Sequence, residues 1–150
     1  MKIHIVNFGM GNIFSVQKKI QSKDISLSIS SDIHDILNAD KIILCGVGHF
    51  KKAMDNLIEL NLIDSLNDFA LIQKKPVLGI CLGMQLMANY SEEGNVNGLG
   101  WVDAKVKKFN TSESKKYKIP HMGWNTVVIS KESPLMKNIN SNEEFYFVHS

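Results

Sequence analysis

One cysteine, flanked at two removes on either side by glycine, constrains this chain more than any other feature. The segment is Gly79-Ile80-Cys81-Leu82-Gly83, preceded by Pro76-Val77-Leu78 and followed by Met84-Gln85-Leu86. The apolar run predicts a strand over Val77–Ile80, and the continuation predicts a helix over Leu82–Asn89. A strand that turns straight into a helix brings backbone segments together and leaves no room for side chains beside the apex. Glycines at those two offsets satisfy that demand. The pattern is the cysteine form of a nucleophile elbow, and it predicts that Cys81 is a reactive thiol facing backbone N–H groups able to hold an oxyanion. Cys45, the second cysteine, lacks such a turn and is read as a core residue.

The first half of the chain alternates strand and helix patterns. Lys2–Asn7 is an apolar run that predicts a first strand. A turn at Phe8-Gly9-Met10-Gly11 leads to Asn12, a good helix cap, and Ile13, Val16 and Ile20 recur at helical spacing. Ile25, Leu27 and Ile29 alternate with serines, which predicts an edge or half-exposed second strand. A short helix over Asp32–Asn38 and a third strand over Lys41–Cys45 follow. Ala53, Leu57, Leu60, Ile63, Leu66 and Ala70 then predict one or two helices before Pro76. Such alternation implies a parallel sheet covered by helices on both faces, with sites at the C-terminal ends of the strands. The second half is β-rich, with strands expected around Val102–Phe109, Trp124–Ile129 and Phe145–His149 and a short turn near Pro134–Lys137. The lysine-rich stretch from Lys105 to Lys118 is expected to be a solvated loop.

Composition narrows the function classes. The chain has 150 residues, a length that suits one domain with its own core. Net charge is only +2, which does not argue for a nucleic-acid binder. Every basic residue is lysine, so the guanidinium fork that best clamps phosphate is missing. A phosphorylated substrate would therefore be gripped by a partner. With 2 cysteines, a reducing cytoplasm is the simpler expectation, and the N-terminus has no signal-peptide pattern. The apolar stretch Pro76–Ala88 is too short to span a bilayer. Gly9-Met10-Gly11 with Asp32 resembles a dinucleotide fingerprint, but Phe14 stands where a third small residue is needed. No phosphate loop, zinc spacing or other cofactor motif is present. The glycines of Gly46-Val47-Gly48 fit either an oxyanion loop or a simple turn, and of the five histidines none is placed beside Cys81 by sequence alone.

Taken together these residues resemble the class I glutamine amidotransferases. More narrowly, they resemble the glutaminase subunits that serve the cyclase of imidazole glycerol phosphate synthesis in the histidine pathway. Gly79 to Leu86 matches the nucleophile segment. Phe8-Gly9-Met10-Gly11-Asn12, Pro120-His121-Met122-Gly123-Trp124-Asn125 and Phe147-Val148-His149-Ser150 match further family segments. The resemblance implies an α/β, flavodoxin-like fold with a mostly parallel sheet, flanking helices and a β-rich second half. It implies one amidotransferase domain over residues 1–150, incomplete at its C-terminal side. It also implies roles: Cys81 attacks the glutamine amide, and the oxyanion hole is formed by the backbone N–H groups of Val47, in the loop that begins at Gly46, and of Leu82. Gln85, Glu93 and the backbone at Ser150 hold glutamine. Asn12, His121, Met122, Gly123, Trp124 and Asn125 face a (βα)₈-barrel cyclase, which receives the ammonia. No cofactor or metal is implied.

Three departures from the pattern matter. Cys45 replaces a proline before the oxyanion-loop glycine, which implies a looser loop. His49 replaces a small residue. The family's His-Pro-Glu motif, which carries the catalytic base, does not occur in these 150 residues. The expectation is a truncated or partial chain, with little turnover alone. Two alternatives remain open at this level: a paralogue feeding ammonia to sugar amidation in surface-polysaccharide synthesis, and a remnant that only binds its partner.

Overall fold

A computed structural model describes residues 1–22, 24–110, 118–140 and 142–150. Two compact units emerge, Met1–Lys107 and Lys108–Ser150, and each is described by itself.

The first unit is built on a parallel sheet of four strands in the order β2-β1-β3-β4. Its strands are β1 (Lys2–Val6), β2 (Ser26–Ser30), β3 (Lys41–Gly46) and β4 (Val77–Cys81). β1 and β3 lie in the middle and are almost continuously apolar, as strands buried on both faces must be. β2 is an edge strand with partial exposure, which is the reason its Leu27 and Ile29 are interleaved with serines. The period of two sorts the core into two layers. Ile3, Ile5, Ile13, Ile43 and Cys45 pack together on the face covered by helix α1 (Ile13–Ile20). Val6, Ile42 and Leu44 face the other way, toward α2 (Ile33–Asn38), α3 (Phe50–Glu59) and α4 (Ile63–Asn67). A single π turn, Asp68–Ile72, carries the chain from α4 toward β4. The Asn12 side chain accepts a hydrogen bond from the Ser15 amide at 3.3 Å and so caps α1; Asp32 caps α2 through the His34 amide at 2.7 Å. β4 is the other edge strand, and its Leu78 and Ile80 are 38% and 36% exposed.

Beyond Cys81 the structure departs from the expected eight-residue helix. Helix α5 spans only Leu82–Gln85, and the chain then enters β5 (Ala88–Ser91). The cause is a competition for carbonyls. The Leu86, Met87 and Ala88 carbonyls accept from the amides of Leu99, Trp101, Val102 and Gly100, which return over them, so a continuing helix would forfeit those bonds. β5 pairs antiparallel with β6 (Val96–Asn97) and parallel with β7 (Val102–Val106). Sequence patterning missed β5 and β6 because neither is long enough to show alternation.

The second unit is a two-stranded antiparallel hairpin, β8 (His121–Thr126) with β9 (Glu144–His149), plus a 3₁₀ turn at Pro134–Met136. Both strands were expected, with β8 displaced toward its N-terminal side. Of the expected solvated loop, residues 111–117 lie outside the described residues. No helix among the described residues is long and apolar enough to cross a membrane.

His4 carries a testable consequence of this burial. It sits in central strand β1, fully buried, with Nδ1 2.9 Å from the Ser28 Oγ. Burial disfavours the imidazolium and pushes its pKa below 6.5. Below pH 6.5 the unfolded chain therefore binds a proton that the folded chain excludes. Stability should fall as the pH drops below 6.5, with a slope of up to ~1.4 kcal/mol per pH unit. Urea unfolding across that range measures it, and a His4→Gln chain should lack that component of the slope.

Candidate active site

Cys81 is the last residue of β4 and the residue just before α5. Its backbone sits at φ 52°, ψ −119°, a conformation that L-residues rarely adopt. Such strain persists only where the surroundings over-determine it, and it gathers at functional turns. The surroundings here are explicit. A Cβ on Gly79 would lie 2.5 Å from the Met84 Cα, and one on Gly83 would lie 2.0 Å from the Leu44 carbonyl oxygen. The two glycines thus let β4, α5 and β3 meet at the apex, as the sequence pattern predicted. The Cys81 side chain is exposed at that apex, whereas Cys45 is 3% exposed on the α1 face and burial pushes its thiol pKa up. The expectation that Cys45 is a core thiol is met.

The loop after β3, expected from the family resemblance to hold an oxyanion, lies beside the elbow by strand register. Gly46 at the end of β3 is the direct neighbour of Cys81 at the end of β4. Adjacent strands are about 4.8 Å apart, so the residues that follow, Val47 and Leu82, leave the same edge of the sheet side by side. Gly46 and Leu82 are buried, and Val47 is exposed. The turn after β1 supports this loop from one side: a Cβ on Gly11 would meet the Gly46 Cα at 2.6 Å and the Val47 nitrogen at 3.1 Å. The close approach of Gly11 to Gly46 is visible only in three dimensions.

Gln85 stands one helical turn past Cys81, at the end of α5. Glu93 lies in the turn between β5 and β6, and its Oε2 accepts a 2.7 Å hydrogen bond from the Phe50 amide at the start of α3. Asn12 caps α1 in the same unit. Ser150 and His121–Asn125 belong to the second unit. There, His121 pairs with His149 across the hairpin, with Nδ1 to Nε2 at 2.9 Å, and the Asn125 amide is 3.0 Å from the other His121 ring nitrogen. The opposite face of β8 presents Met122 and Trp124, at 59% and 65% exposure, with Trp124 edge-on to Tyr146 at 5.5 Å between ring centroids.

Comparison with known proteins decides the family. A sequence profile described as glutamine amidotransferase class-I matches residues 4–150. The chain belongs to the class I glutamine amidotransferases. Several curated relatives that it matches are named as subunits of one enzyme. It is 49% identical over 148 residues to imidazole glycerol phosphate synthase subunit HisH 2 of Methanococcus maripaludis, a match covering 99% of this chain and 72% of the relative. It is 46% identical over 149 residues to subunit HisH 1 of a Campylobacter jejuni strain, covering 99% and 73%. It is 40% identical over 155 residues to subunit HisH of Pelagibacter ubique, covering 100% and 74%. The parallel α/β sheet of the first unit accords with that family.

Proposed function

We infer that this chain is the glutaminase subunit of an imidazole glycerol phosphate synthase, releasing ammonia from glutamine in the cytoplasm for a cyclase partner. The observation that carries the chemistry is the exposed Cys81 on its strained apex, in register with Gly46. The Cys81 sulfur attacks the amide carbon of glutamine, and the carbonyl oxygen takes up negative charge. The backbone N–H groups of Val47 and Leu82 are positioned to hold that charge in the tetrahedral intermediate. The C–N bond then breaks, the nitrogen leaves with a proton as ammonia, and a glutamyl thioester remains. Water cleaves the thioester to glutamate and restores the thiol. Gln85 orients the glutamine, and the Glu93 carboxylate meets its ammonium group.

Contacts to the cyclase are assigned to Asn12 in the first unit and, separately, to His121, Met122, Gly123, Trp124 and Asn125 in the second. Support comes from the exposure of Met122 and Trp124, large apolar side chains that an interface would cover. The absence of arginine fits this division of labour, because glutamine carries no phosphate. The test is to mix the chain with a cyclase subunit from a histidine pathway and measure binding. A complex should form, and Trp124→Ala should weaken it by about 2 kcal/mol, roughly 30-fold in Kd. Failure of the unmodified chain to bind any such cyclase would overturn the partner assignment.

A further inference from the structure

The oxyanion loop is held at both ends, and one end depends on a side chain from a distant turn. At its start, Gly46 is locked into the sheet as the partner of Cys81. At its end, α3 begins at Phe50, preceded by His49, whose side chain makes no capping bond. The first amides of a helix need an acceptor. For α3 that acceptor is the Glu93 Oε2, 43 positions along the chain and 2.7 Å from the Phe50 nitrogen. Phe50 is itself fully buried, so its amide marks a fixed point from which the exposed residues Val47, Gly48 and His49 hang.

Two further contacts fix the turn that delivers Glu93. The Glu93 amide donates to the Oγ of Ser91, a fully buried residue, at 3.1 Å. Gly94, at φ +93°, lies so close to α3 that an added Cβ would come 2.4 Å from the Lys51 Cβ and 3.1 Å from the His49 Cε1. The turn is therefore seated on the first turn of α3, directly beside the loop.

We propose that Glu93 is a positioning residue for the oxyanion loop, its carboxylate capping α3 at Phe50 and thereby fixing the segment that presents the Val47 N–H. This rests on the glutaminase reading for its catalytic meaning. A carboxylate accepts hydrogen bonds at two oxygens, so Oε1 can meet the substrate's ammonium while Oε2 stays on the Phe50 amide. One side chain then ties the occupied glutamine pocket to the geometry of the oxyanion hole.

Substitutions at Glu93 separate these two duties. Glutamine at position 93 keeps an oxygen acceptor for the Phe50 amide and loses the charge for the ammonium; alanine loses both. Two measurements read the difference. The first is hydrogen exchange of the Phe50 amide, followed by NMR in the chain itself. Exchange should accelerate roughly tenfold or more in Glu93→Ala and stay near the parent rate in Glu93→Gln. The second is inactivation of Cys81 by a chloroketone analogue of glutamine. Glu93→Gln should raise the half-saturating concentration with the limiting rate kept, whereas Glu93→Ala should also lower the limiting rate by roughly tenfold. Gly94→Ala keeps the Glu93 side chain but lifts the turn that delivers its carboxylate to Phe50, so it should lower the limiting rate as Glu93→Ala does. An unchanged Phe50 exchange rate in Glu93→Ala, or equal limiting rates in the two Glu93 variants, overturns the proposal. A parent chain that the chloroketone never modifies defeats the glutaminase reading instead, and the exchange contrast still decides the structural contact.

Discussion

Gly83→Ala should destabilise the chain by about 3 kcal/mol or more, because it is an overpacking change against rigid backbone. The added methyl would lie 2.0 Å from the Leu44 carbonyl oxygen, 2.4 Å from the Leu44 carbonyl carbon and 2.9 Å from the Cys45 nitrogen. These atoms belong to β3, a central strand that is buried along its length after Lys41. No side-chain rotation relieves such contacts, so α5 must lift away from the sheet and carry Leu82 and Leu86 out of the core they fill. Met84→Ala on the exposed side of the same helix is the matched control and should fall within about 0.5 kcal/mol of the parent. Urea denaturation of the three chains measures both. A Gly83→Ala chain as stable as the Met84→Ala chain would mean that α5 does not press on β3.

An electrophilic glutamine analogue should label Cys81 and leave Cys45 untouched. Both are free thiols, separated by environment: Cys81 is exposed at the apex of the elbow, and Cys45 lies under α1 with burial holding it in the protonated form. Cys81→Ala should abolish labelling, and in the assembled synthase it should reduce ammonia release by ~10⁴-fold or more. Peptide mapping of the labelled chain reads the site. Modification of Cys45 in preference to Cys81 would sink the assignment of the nucleophile.

How much of this was legible beforehand depends on how local each cause is. The elbow was legible because its demands fall on five consecutive residues, and the glycines at 79 and 83 are the trace of two backbone contacts. The strands β1, β3 and β4 and the edge character of β2 were legible because burial on two faces, or on one, writes itself into apolar runs or alternation. The length of α5 was not legible. Leu86, Met87 and Ala88 are good helix formers, and what draws them into the turn and β5 is a set of amides between Leu99 and Val102. The short pairings of β5 and β6 left no pattern of their own. The cap on α3 left a trace that sequence reading could have used: His49 is a poor capping residue at a helix start, so an acceptor had to come from elsewhere.

Taken alone, then, the sequence determined that Cys81 sits on a tight strand-to-helix turn within a parallel α/β sheet, since glycine offsets and apolar periodicity are properties of neighbouring residues. Tertiary structure alone decided that the turn is strained at Cys81, that Gly46 lies opposite it, that Cys45 is sealed under α1, and that Glu93 holds the far end of the loop. Each of these joins atoms far apart along the chain. Nothing in the spacing of one segment specifies which distant carbonyl, amide or carboxylate will be brought against it, because that is settled by how the whole sheet packs.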